Sequence, residues 1–271
     1  RRVALRTLRT SPTPGGHTSD RIFYDDRVSA ASCEHLEFIG HGHIGADAAS
    51  ALTDPSVRGV VVRGGPASGA AEFAMAVARA AGEPISVRAD RSTSSIEFAS
   101  LSPFLQTSFG ERPTLDADLL AWAISALLVV ADPATPIVVD DVAFVDHMSA
   151  MALAGVSDCG VPLVLVTGRT TKLPASLATV AVGFHTADLA DIDDAGVSEL
   201  TATVLGGSVE PRIIRSLTRL VGGATVAIVD QIHAAVETGT LVRAGGVWRQ
   251  RGELRLASAT LARLVPVIDP L

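Results

Sequence analysis

The chain has 271 residues, 48% of them apolar and only 4% aromatic, with a formal charge of −7 and a pI near 5.5. That length is enough for a sizeable core, or for a main domain with a smaller companion. The acidic balance excludes a global basic field of the kind that gathers affinity for DNA or RNA by counterion release. A core built from Ala, Val, Leu and Ile suits buried parallel strands covered by Ala-rich helices, and so predicts an α/β fold.

Cys33 and Cys159 are too few for a disulfide framework, and the N-terminal residues show no charged segment followed by an apolar stretch and a cleavage site. The expectation is a cytoplasmic protein. The longest apolar run, Leu119 to Ala131, is too short to span a bilayer and reads as a buried helix, so no membrane segment is expected. The chain starts at Arg1 and stops after Pro270-Leu271, and it reads as a piece of a longer protein.

Residues 1–34 contain Thr-Ser-Pro-Thr-Pro-Gly-Gly and keep no period, which predicts an irregular lead-in. Regular patterning follows over 35–188. Val57 to Arg63 is a β-branched strand, then comes a Gly/Pro loop, then an Ala-rich helix over 70–81. Pro84 to Ala89 is a second apolar run, a Ser-rich stretch follows, and a long helix is expected over 115–130. Pro136 to Asp141 reads as an apolar strand ending in two carboxylates, with Asp146 as the cap of the next helix. A fourth strand covers Val161 to Thr167, and a fifth is placed near Leu177 to Val182. Strands alternating with helices imply right-handed crossovers and a parallel sheet whose binding edge is at the strands' carboxyl ends. Residues 189–271 change character, with helices near 195–205, 211–221 and 225–238. A hairpin over Leu241 to Arg249 closes them, predicting a small helical domain with a winged end.

Between the first strand and its helix lies Gly64-Gly65-Pro66-Ala67-Ser68-Gly69-Ala70-Ala71. A P-loop has Gly, four residues, Gly, Lys and Ser/Thr at this place. The glycines let backbone amides wrap a phosphate, the lysine neutralises the β and γ charges, and the hydroxyl holds magnesium. Here Ala70 and Ala71 occupy the last two positions. The only lysine of the chain, Lys172, lies beyond the fourth strand. Asp140 and Asp141 stand where Walker B carboxylates would hold magnesium and orient water, and Arg169 stands where an arginine could sense a γ-phosphate. Each has a plainer alternative: a strand-to-helix turn, an acidic helix cap, an exposed loop arginine.

Over residues 36–264 the sequence resembles the AAA-like signalling ATPases (STAND class) that form the N-terminal part of large LuxR-type transcriptional regulators with a MalT-like layout. The resemblance is carried by Glu37-Phe38-Ile39-Gly40, Asp54 through Pro66, Arg91 through Ile96, Val138 through Val142, Val164 through Arg169, and Gly239 through Arg243 with Gly246-Val247-Trp248. It implies a P-loop NTPase-like parallel sheet flanked by helices, followed by a small helical or winged-helix domain. It also implies ATP or ADP with magnesium as cofactors, gripped by Ile39, Gly40, Gly64, Gly65, Ser68, Gly69, Ala70, Ala71 and Arg169, with Asp140 on the metal and Asp141 beside it. The departures fall on the nucleotide. The family's lysine and threonine are Ala70 and Ala71, the arginine after the opening glycine is His41, and a Gly-Gly-Asn-Pro-like motif appears as Gly222-Gly223-Ala224-Thr225. A regulatory pseudo-ATPase is therefore expected, working through a protein partner or self-association. DNA would be contacted only through a helix-turn-helix domain that has no counterpart before Leu271. The alternatives are an atypical active ATPase and a small-molecule or partner sensor using the old cleft.

Cys33-Glu34-His35 with His41 and His43 supplies zinc-ligand types, but at no recognised spacing. A Ser-His-Asp hydrolase fails because no Gly-x-Ser-x-Gly elbow follows a strand. Arg243, Arg249, Arg251 and Arg255 crowd the hairpin and, given the acidic total, read as a solvated charged surface rather than a phosphate-backbone contact.

Overall fold

The computed structural model describes residues 38–108, 116–132 and 134–264; the lead-in over 1–34 lies outside them. In chain order they form α1 (Gly42–Thr53), β1 (Gly59–Gly64), α2 (Ala70–Ala81), β2 (Ile85–Arg88), α3 (Ser102–Ser108), α4 (Asp116–Val130), β3 (Ile137–Asp140), α5 (His147–Asp158), β4 (Leu163–Gly168), α6 (Ala175–Val180) and β5 (His185–Leu189). After these come α7 (Asp194–Leu205), β6 (Ser208–Val209), α8 (Pro211–Val221), α9 (Thr225–Glu237), β7 (Leu241–Ala244), β8 (Val247–Gln250) and α10 (Ser258–Leu264).

β1 to β5 make one sheet in the order β2-β3-β4-β1-β5, and every pair is parallel. Side-chain alternation builds a core on each face. Val60 and Val62 of β1, Val138 of β3, and Val164 and Val166 of β4 pack under α1 and α2 with Phe73 and Val77. Val61, Ile137, Val139, Leu163 and Leu165 face the other way, onto Leu127 of α4, Leu153 of α5 and Leu177 of α6. Each of these buried aliphatic side chains contributes about 1.5–3 kcal/mol by leaving water. Residues 192–254 close a third core around Leu200, Ile213, Leu217, Ile228 and Ile232, and Ile39 joins it from the chain's other end. Among the described residues no helix is long and apolar enough to cross a membrane.

The expected fifth strand is displaced. Residues 175–180 are helical, Val182 is 87% exposed, and the fifth strand is His185–Leu189. β5 is an edge strand, paired only with β1, so it buries Ala187 and Leu189 and turns Thr186 and Asp188 outward. Alternation of this kind hides the strand from a search for apolar runs. α1 was not expected either: His41 gives it no side-chain cap, and it carries two glycines. Gly45 is needed there because a Cβ would lie 2.4 Å from the Phe38 ring. The Ser-rich stretch holds two short 3-10 turns and α3. The hairpin is present as β7 and β8, joined by parallel pairing of the two-residue β6 to β8.

One carboxylate holds three segments together. Asp146, 2% exposed, caps α5 by accepting from the Ser149 amide at 2.9 Å, and also accepts from the Phe98 amide at 2.8 Å and the Ser100 amide at 3.1 Å. Phe98 is held at φ 59, an unfavourable value for a non-glycine residue. Burial alone would raise the Asp146 pKa, but the hydrogen bonds from Ser149, Ser100 and Phe98 outweigh it and hold the carboxyl below its usual value. Asp146→Ala is expected to cost about 3 kcal/mol, since it removes a cap and strands two buried amides. Because the folded pKa is depressed, this stabilisation is present above the unfolded value of about 3.9 and fades as pH falls through the folded value. Denaturant melts of wild type and variant should therefore differ at pH 7 and converge in acid.

Candidate functional site

The carboxyl ends of β1, β3 and β4 open onto a cleft of about 990 Å³, which the 189–264 region covers from the opposite side. Gly64 ends β1 in register between Gly168 of β4 and Leu189 of β5. The loop then curls tightly. A Cβ on Gly64 would lie 2.2 Å from Ser68 Oγ and 2.8 Å from Ala70 Cβ, so only glycine fits. Ala67 has φ 56 and Gly69 has φ 81, and the Gly69 carbonyl accepts from the Phe73 amide at 2.8 Å to start α2. The first amides of a helix have no partner within it, so this turn presents donors to the cleft at the positive end of the α2 dipole.

Gly64, Gly65, Ser68, Gly69, Ala70 and Ala71 all line the cleft, and so do Asp140, Asp141 and Arg169. Asp140 ends β3 and is half-buried; one of its oxygens accepts from the Asp141 amide at 3.0 Å and the other stands 3.8 Å from Nε of Arg88. Asp141 adopts φ 52. The residue is exposed, and partial loss of water around its carboxyl, then the neighbouring Asp140, pushes it above the ordinary value. Arg169 reaches across the end of β1 and donates to the Leu189 carbonyl at 2.5 Å, so its guanidinium bridges the two strands that flank the start of the loop. Lys172 is exposed and is not among the residues lining the cleft.

Ile39 and Gly40 are placed elsewhere. Ile39 is 7% exposed in the third core, Gly40 is so close to Ile192 that a Cβ would lie 2.5 Å from it, and neither lines the cleft. His41 beside them is buried, edge-on to Phe73, with Nε2 unpartnered. Burial, then His43 and Arg169, hold its imidazole below the usual pKa against the pull of Asp191. His41 and His43 belong to no metal-sized cluster: among the described residues no three His, Cys, Asp or Glu side chains group that way, and Cys33 and His35 lie outside the described residues.

Four contributors escape a reading of the sequence. Arg88 lies opposite Asp140 in the β2–β3 register and lines the cleft; its place at the end of the second apolar run was the available signal. Thr167, 6% exposed with an unpartnered hydroxyl, lines it from β4. Arg263 and Leu264 come from α10, which only the folded chain brings to the cleft. The region after β5 is clasped to the loop directly. The Val226 amide, in the first turn of α9, donates to the Ala67 carbonyl at 2.9 Å. The Ile192 amide donates to the Gly223 carbonyl at 3.0 Å, and a Cβ on Gly223 would lie 2.1 Å from the Ile192 oxygen.

No family model matches the chain, and no curated protein matches it. Solved structures do share its shape. The Orc1 protein of Aeropyrum pernix, solved in complex with DNA, superposes with a TM-score of 0.54 at 13% identity, covering 82% of this chain and 63% of that one. Cdc6p from Pyrobaculum aerophilum gives 0.54 at 13% identity over 79% of this chain and 67% of its own. Domain III of the Thermotoga maritima replication initiation protein DnaA gives 0.52 at 11% identity over 79% and 93%. The chain thus spans about two thirds of the Orc1 and Cdc6p structures it matches. These likenesses establish the fold: a five-stranded parallel sheet flanked by helices, as in the AAA+ P-loop ATPases.

Because folding raises the pKa of Asp141, its charge opposes folding wherever the group is ionised. Asp141→Asn should therefore raise the melting temperature at pH 7. The gain should vanish as pH falls below the unfolded carboxylate value of about 3.9.

Proposed function

We propose that this chain is the regulatory module of a LuxR-type signalling regulator, a pseudo-ATPase on the AAA+ fold in which ATP or ADP binding is weak or lost and hydrolysis is not supported. The observation that carries this reading is the pair Ala70 and Ala71 at the first two positions of α2, lining the cleft where a P-loop needs an ammonium and a hydroxyl. What remains is an amide nest at a helix N-terminus, which suits an anion. Magnesium fits poorly: the P-loop hydroxyl is absent, one oxygen of Asp140 accepts from the Asp141 amide, and the exposed Arg88 guanidinium stands 3.8 Å from the other.

In this reading the module is cytoplasmic and works through a partner protein or a second copy, and bases are read by a separate helix-turn-helix domain. The clasp between Ala67 and Val226 supports a regulatory role, since whatever occupies the loop is felt directly by α9. A second reading, an atypical but active ATPase, draws on Asp140, Asp141 and Arg169, which line the same cleft as Arg88.

Calorimetric titration of ATP and ADP, with and without magnesium, separates the two. The expected affinity is weaker than about 1 mM, a binding free energy smaller than about 4 kcal/mol. Ala70→Lys with Ala71→Thr should tighten it by roughly ten- to a hundredfold, the worth of a hydrogen bond to a charged group. Unchanged affinity in that double variant would mean the loop does not grip phosphate at all. Magnesium-dependent turnover by wild type that disappears in Asp140→Ala would overturn the pseudo-ATPase reading.

A further inference from the structure

Arginine is concentrated in the later part of this chain. Residues 206–264 hold eight arginines and no lysine against four carboxylates, Glu210, Asp230, Glu237 and Glu253; the other residues hold fourteen basic and twenty-five acidic side chains. Over the whole helical region 189–264, Asp191, Asp193, Asp194 and Glu199 bring the balance to zero, and Asp194 accepts from Thr218 Oγ1 of α8 at 3.0 Å, so the case for a basic face rests on where the arginines stand and not on a regional net charge.

The arginines are arranged rather than scattered. α8 buries Ile213, Ile214, Leu217 and Val221 and turns Arg212, Arg215 and Arg219 to solvent. At about 100° per residue the three lie within an arc of roughly 60° and span roughly 10 Å of helix. Ser216, on the flank beside Arg212, meets Gln250 of β8 at 3.0 Å, so the stripe borders the hairpin at the point where Arg249 and Arg251 flank Gln250. Leu241, Trp248 and Gln250 share the hairpin face that packs on the helices, where Trp248 Nε1 donates to the Leu205 carbonyl at 2.8 Å; Arg249 is on the opposite face, exposed. The hairpin turns through Gly245 and Gly246, both at positive φ, so its tip carries no side chain to hold a backbone away. Among the described residues none of Arg212, Arg215, Arg219, Arg249 and Arg251 forms an ion pair.

We infer that α8 and the β7–β8 hairpin form a contact face for the phosphate backbone of duplex DNA, independent of bases and of the cleft. Guanidinium forks match phosphate oxygens, and a row of unpaired arginines matches a polyanion with one charge per about 1.7 Å of axis. A second copy of the chain is a poorer occupant. Its exposed Asp47, Asp118, Asp158 and Asp188 are spread over α1, α4, α5 and β5, and the tighter group Asp191, Asp193 and Asp194 stands beside α8 of its own copy, where Asp194 accepts from Thr218 Oγ1 at 3.0 Å. The face uses none of the loop residues at 64–71, so its fate is separate from that of the nucleotide reading.

The test is fluorescence anisotropy of a labelled 20-base-pair duplex with the full chain, over 50 to 200 mM salt. Affinity should fall with salt at a slope of roughly −3 to −5 in log–log form, at about 0.9 per phosphate neutralised. Arg212→Gln, Arg215→Gln and Arg219→Gln together should make that slope shallower by roughly 2 to 3 and weaken binding at least about tenfold at low salt, with melting unchanged. Arg249→Gln with Arg251→Gln should act in the same direction, and Arg58→Gln, on the far side of the sheet's core, should do nothing. Absence of binding at 50 mM salt, a slope unaltered in both variants, or displacement of the duplex by polyglutamate of equal charge would overturn the inference, the last by assigning the face to an acidic protein.

Discussion

The hydrogen bond from the Val226 amide to the Ala67 carbonyl joins the two halves of this molecule at the place where its chemistry would be done. A parallel sheet exposes its loops at one edge. Here the first of those loops is tied to the N-terminus of α9 rather than left to solvent. The bond helps to hold Ala67 at φ 56, an unfavourable value for a non-glycine residue, and gives a first-turn amide of α9 the acceptor it lacks within the helix. Its partner contact, Ile192 to Gly223, fixes the linker after β5, where a side chain on Gly223 would displace backbone. The cleft is thus built from both sides, and its shape reports how the helical region sits on the sheet.

What the cleft retains and what it lacks follow one physical logic. In the proposed reading, the turn at Gly64 and Gly69 and the start of α2 supply the backbone of a phosphate loop. The side-chain charges of such a loop are missing. Phosphoryl transfer requires charge neutralisation that amides alone supply only in part. Arg88 and Arg169 bring positive charge to the same edge, but each is already committed, one near Asp140 and the other on the Leu189 carbonyl.

The arginine stripe on α8 shows why a net charge describes a partner poorly. The apolar face of that helix is needed for the third core, which leaves the opposite face free of packing demands and available for charge. Spread over the whole chain the arginines are outweighed; on one surface they are not.

Most of the element pattern was legible in the sequence, since strands such as Val60-Val61-Val62 and Leu163 to Val166 are buried on both faces and read as apolar runs, and α2 and α7 to α9 follow helical spacing. That Ala70 and Ala71 follow the glycine turn, and that Asp140 ends a strand, were equally plain, because loop composition is written in adjacent residues. β5 and α1 were not legible: an edge strand alternates and carries Asp188 outward, and α1 is defined by what packs on it rather than by a cap. Tertiary structure alone decided that Arg169 bridges to Leu189 twenty residues on, that Arg263 joins the cleft, that Ile39 turns into the third core, and that α8 and the hairpin share a border. The division has a single cause: periodicity and turn chemistry are local properties of the chain, whereas the neighbour across a strand or a domain contact is chosen by packing between segments far apart in sequence.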